Sequence, residues 1–71
     1  MILLVSVVSI REDHLLVFDL TQHRQLQVNT RSAARFRAGD LLRIEYSGAL
    51  TKSVPPQLTP LHIAKLSSAD F

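Results

Sequence analysis

The 71-residue chain has no cysteine, which excludes disulfide cross-links and thiolate-held metals. A domain this small buries only about 60% of its unfolded surface, so packing alone must hold it together. Glycine is nearly absent, at two residues, and no glycine-rich phosphate loop occurs. The three histidines, His14, His23 and His62, are widely separated and lack a spacing such as His-x-x-x-His, which argues against zinc. Ser53 has no Gly-x-Ser-x-Gly surroundings, and Glu12 and Asp13 are adjacent in a turn rather than set apart as an acid–base pair. The expectation is a protein that is not an enzyme and needs no cofactor or metal. Aromatic residues are few: Phe18, Phe36, Tyr46 and Phe71.

No run is long enough to span a bilayer, which takes about 20 apolar residues. The opening MILLVSVVSI lacks a positive n-region, an A-x-A-like cleavage site and a lipid-accepting cysteine. It reads as a strand. A native start at Met1 points to the cytoplasm, and a removed leader would point to secretion or the envelope.

Hydrophobic residues make up 46% of the chain and charged residues 20%, the balance of a folded domain rather than a disordered one. The formal net charge is +2, but it is unevenly spread. Arg24, Arg31, Arg35 and Arg37 lie between Asp19 and Asp40 with no acid among them. Arginine suits planar, bidentate contacts to phosphate or carboxylate. The same residues also serve as an ordinary solvated surface.

Ile2 to Ile10 is apolar on both phases of the strand alternation, with Leu3, Val5 and Val7 opposite Ile2, Leu4, Val8 and Ile10. This pattern predicts a strand buried on both sides. A polar turn at 11–13 leads to a second strand over His14 to Leu20, with Leu16 and Phe18 assigned to the core. Thr21-Gln22-His23 is a turn, and Arg24 to Asn29 alternates with Leu26 and Val28 inward. Thr30 to Phe36 breaks the pattern: Thr30 caps a short helical turn, and Phe36 plugs it into the core. Gly39 supplies a positive φ in the following turn, which Asp40 caps. Leu41 to Ser47 is a fourth strand with Leu42, Ile44 and Tyr46 on one face. Leu58 to Leu66 is the fifth, where Pro60 requires an edge or bulge, and 67–71 form a tail.

These elements predict a single all-β domain over 1–71: a small five-stranded OB-like β-barrel with one short helical turn between strands 3 and 4. An SH3-like barrel is the alternative. Between the last two strands, Gly48 frees the backbone from the sheet. Val54, Pro55 and Pro56 form a stiff, extended crossing, with Leu50 and Val54 folded over one end.

Within residues 39–63, GDLLRIEYSGALTKSVPPQLTPLHI, the motifs are a Gly-Asp before a hydrophobic strand, a Tyr-x-Gly at its end and a Ser-x-Pro-x-Gln segment. They involve Gly39, Asp40, Tyr46, Gly48, Ser53, Pro55, Pro56 and Gln57. In these the chain resembles the YobA-like family of small bacterial proteins of unknown function. The resemblance implies an OB-like barrel, often secreted or membrane-anchored in Gram-positive bacteria, and it implies no activity.

The functional expectation is a non-catalytic binding or interaction module whose partner is a protein or a cell-envelope component. The alternative is a single-stranded nucleic-acid-binding OB-fold that uses Arg24, Arg31, Arg35 and Arg37. An exposed strand edge also offers pairing to an extended peptide or a second copy.

Overall fold

A computed structural model describes residues 1–68. Six strands form one sheet in the order β5-β3-β2-β1-β4-β6, where β1 is Ile2–Ile10, β2 His14–Asp19, β3 Arg24–Asn29, β4 Leu41–Glu45, β5 Gln57–Leu58 and β6 His62–Ser67. All pairings are antiparallel except the two-residue β3–β5 ladder. The sole helical element among the described residues is a 3-10 turn at Ala33–Arg35, between β3 and β4. It follows Thr30, whose Oγ1 accepts the Ser32 N–H at 3.1 Å.

The expected single fifth strand is divided. Thr59, Pro60 and Leu61 interrupt it, because Pro60 has no N–H to give to a ladder. Its first part pairs with β3 and its second with β4. These two parts are the edges of the sheet and do not pair with each other, so the sheet is open. It is also curled. In a flat sheet β5 and β6 would lie about 24 Å apart, five strand spacings. The four Cα steps from Leu58 to His62 reach only about 14 Å.

One face of the sheet holds the core: Leu3, Val5 and Val7 of β1, Leu15 and Val17 of β2, Leu26 and Val28 of β3, Leu42 and Ile44 of β4, and Leu58. Phe36, Ala33 and Tyr46 complete it. Two expectations are corrected here. β1 is buried on one side only, leaving Ile2, Leu4 and Val8 exposed, because a single-layer chain has nothing to cover its outer face. β2 turns Leu15 and Val17 inward rather than Leu16 and Phe18. Its register opposes Val17 to Val7 and Leu15 to Val28, both core positions. Of the expected tail, Ser67 closes β6, and 69–71 lie outside the described residues.

Candidate binding surface

The Gly39-Asp40 pair pins the β4 entry to the middle of β1. Gly39 adopts φ 93°, its N–H donates to Val7 O at 2.8 Å, and Val7 N–H donates to Asp40 O at 2.9 Å. The buried Asp40 carboxylate accepts the Arg37 N–H at 2.9 Å and meets Lys65 Nζ at 3.2 Å. At the far end of β4, Tyr46 is buried and its N–H donates to Met1 O at 2.9 Å. Gly48 has φ 100°, and a Cβ there would stand 2.8 Å from Met1 Sδ.

The crossing at 50–57 is held by its own polar groups. Thr51 N–H donates to Gln57 O at 3.0 Å, and Gln57 N–H to Thr51 Oγ1 at 2.9 Å. Ser53 Oγ donates to Pro55 O at 2.8 Å, and Gln27 N–H reaches Pro56 O at 2.9 Å. The Val54–Pro55 peptide is cis. Leu50 packs on the core as expected, but Val54 does not: it stands 99% exposed. The crossing is drawn to β3 by polar bonding, which leaves its apolar tip outside.

The four arginines do not form one surface. Arg24 lies opposite Asp19 across the β2–β3 ladder, with Nε 3.6 Å from the carboxylate of that fully buried residue. Arg31, Arg35 and Arg37 are exposed and enter no ion pair with the described residues. They follow Asn29, at the end of β3. Phe18 is opposite Gln25, four residues or about 13 Å back along that strand. The aromatic ring closest to them in sequence, Phe36, is buried in the core. Single-strand binding needs bases stacked beside the cations, and Phe18, a half-buried ring, already meets His23 edge-on.

Composition gave no warning of the second surface, on the outer side of the sheet. Ser6 lies between Phe18 on β2 and Leu41 on β4. Leu4, opposite Arg43, accepts the Leu20 N–H at 3.0 Å, and Ile2 is opposite Glu45. Directly opposed residues share a face and sit about 5 Å apart, so Ile2, Leu4 and Leu20 share an apolar face with the half-buried Phe18 and, beyond Ser6, the half-buried Leu41. Ile2 is 46% exposed and Leu4 43%. Gln25 beside Phe18 and Arg43 and Glu45 beside Leu4 and Ile2 form its polar margin. The legible signal was β1, apolar on both phases in a chain too short for a second layer.

Near the β1–β2 turn, His14 Nδ1–H donates to Asp13 at 2.7 Å, and this hydrogen bond holds the Asp13 carboxyl below its ordinary value of 3.8. No three His, Asp or Glu side chains among the described residues cluster with the geometry to hold a metal. No helix among them is long and apolar enough to cross a membrane. Comparison with known proteins returned no match, whether to a family model, a curated protein or a solved structure.

Proposed function

We propose that this chain is a non-catalytic binding module, OB-like in architecture, that docks against another protein through the outer face of β1, β2 and β4. The observation that carries this reading is the apolar patch of Ile2, Leu4, Leu20, Phe18 and Leu41, on the solvent side of a sheet whose opposite side holds the core. An antiparallel sheet with one wet face ordinarily turns polar residues outward. An apolar patch with a polar margin is instead the anatomy of an interface.

The OB-like part of the reading rests on residues 57–67. That stretch runs parallel to β3 and antiparallel to β4, so one piece of chain spans the open side of the curled sheet. Outer faces of strands 2 and 3 serve as binding surfaces in OB-folds, and Phe18 lies there. The likeness to the YobA-like family belongs to the same reading. Of its matched residues, Tyr46 is in the core and Gly39, Asp40, Gly48, Ser53, Pro55, Pro56 and Gln57 serve turns and crossings, so the likeness carries architecture rather than chemistry. It favours a cell-envelope protein as the partner.

A photo-cross-linking amino acid placed at Leu4, at Phe18 and, as a control, at Lys52 tests this reading in cells that produce the protein. A discrete adduct from the first two positions and none from the third is the expected result. Absence of any adduct, or the same adducts from all three, contradicts it.

A second reading is favoured by one observation: Arg31, Arg35 and Arg37 are exposed and enter no ion pair with the described residues. If they grip a single strand, log affinity for an oligonucleotide falls with log salt by about 0.7 per phosphate contacted. Replacing Arg31 and Arg35 together with Gln then flattens the slope. No binding at low ionic strength removes this reading.

A further inference from the structure

Where the 3-10 turn meets the start of β6, the surface folds into a cleft of about 370 Å³. That is within the range of about 300–1,000 Å³ typical of small-molecule sites. Part of its lining is apolar: Phe36, buried in the core, Ile63, packed against the core from β6, and Pro60 and the exposed Leu61. Its lip is polar, formed by Thr30, Ser32, Arg35 and His62. We propose that this cleft binds a small organic anion, a carboxylate or phosphate carried on a short apolar or aromatic body.

Among the described residues no carboxylate lines the cleft, although Glu45 stands opposite His62 across the β4–β6 ladder. The Arg35 guanidinium is exposed and enters no ion pair with the described residues, which leaves its fork of N–H donors open to a bidentate contact. Thr30 Oγ1 already accepts the Ser32 N–H at 3.1 Å, so its own O–H is free to donate to a ligand. The apolar floor is fixed before any ligand arrives. Phe36 N–H bonds Ala33 O at 3.1 Å, and Lys65 Nζ lies 5.9 Å from the ring centre while engaged with Asp40. A preformed floor lowers the ordering cost of binding. An inorganic ion would use only the lip. A neutral apolar molecule would use only the floor. The combination selects a ligand with both parts. The cleft borders the outer sheet face at His62, which is opposite Glu45, but the proposal does not depend on the docking reading.

Titration of the protein with benzoate, phenyl phosphate, acetate, inorganic phosphate and benzyl alcohol, followed by amide NMR, tests the proposal. Benzoate or phenyl phosphate should saturate shifts confined to residues 30–36 and 61–63, at concentrations at least about tenfold below acetate, inorganic phosphate and benzyl alcohol. Whichever of the two binds more tightly identifies the head group. Arg35→Gln should weaken binding about tenfold, as loss of a bidentate charged contact does. Arg31→Gln, the same charge change outside the cleft, should leave it unaltered. The parent spectrum is the check that each variant is folded. Benzyl alcohol matching the anions, Arg31→Gln weakening binding as much as Arg35→Gln, or no saturable shift would each overturn the proposal.

Discussion

Asp19 and Asp40 are fully buried carboxylates, and each accepts backbone N–H groups from a turn. Asp19 Oδ1 accepts the Thr21 and Gln22 N–H groups at 2.9 and 3.2 Å, and its main-chain oxygen accepts the His23 N–H at 2.9 Å. His23 closes that turn at φ 56°, a left-handed position filled without glycine. Its ring meets Phe18 edge-on at 6.2 Å. Asp19 Oδ2 has no hydrogen bond, and the nearest cation is the Arg24 Nε at 3.6 Å. Arg24 therefore neutralises a buried charge instead of presenting itself to a ligand. Arg24→Gln should destabilise the fold by about 1–3 kcal/mol, since it strips a buried carboxylate of its compensation. Arg31→Gln, on the open surface, should stay within about 0.5 kcal/mol. Equal effects in urea unfolding would return Arg24 to the exposed set.

At the scale of elements, the sequence was most legible where a strand offers one apolar face. β3 and β4 are such strands, and Leu26, Val28, Leu42, Ile44 and Tyr46 are all buried as expected. The 3-10 turn, the Phe36 plug and the positive φ at Gly39 were also readable, because turn chemistry and a pattern break are local signals. β2 was misread for a nonlocal reason. Leu16, Phe18 and Leu20 outweigh Leu15, Val17 and Asp19 in hydrophobicity, yet Asp19 is inward because the next turn's amides satisfy it. A buried aspartate hides the core face of its own strand. The crossing at 51–57 was legible as a connection between strands, though not in its bonding: Thr51 bonds both Ser53 and Gln57, and Gln57 Oε1 accepts from Asn29 Nδ2 at 3.2 Å. Backbone order parameters near 0.85 are expected for residues 51–57 in the free protein, and values below about 0.6 would show a loop that orders only on binding.

For the whole molecule, the decisive fact is that one curled sheet of six strands has a single packed side. β1 and β2 keep Leu4, Phe18 and Leu20 on the other side. Their burial by another molecule is what the proposed docking role requires. The arginine cluster was the candidate surface that charge alone offered, but the fold sets Arg24 against Asp19 and leaves Arg31, Arg35 and Arg37 without an ion pair among the described residues. Folding stability separates a face reserved for a partner from one needed by the core. The measurement is urea unfolding of the chain carrying Leu4→Ser and Phe18→Ser together, beside Ile44→Ala. Ile44→Ala should cost about 2–5 kcal/mol, as large-to-small core changes do, while the double outer-face variant should stay within about 1 kcal/mol of the parent. A loss in the double variant as large as that of Ile44→Ala would show that the outer face is packed within the chain itself and contradict its assignment as a docking surface.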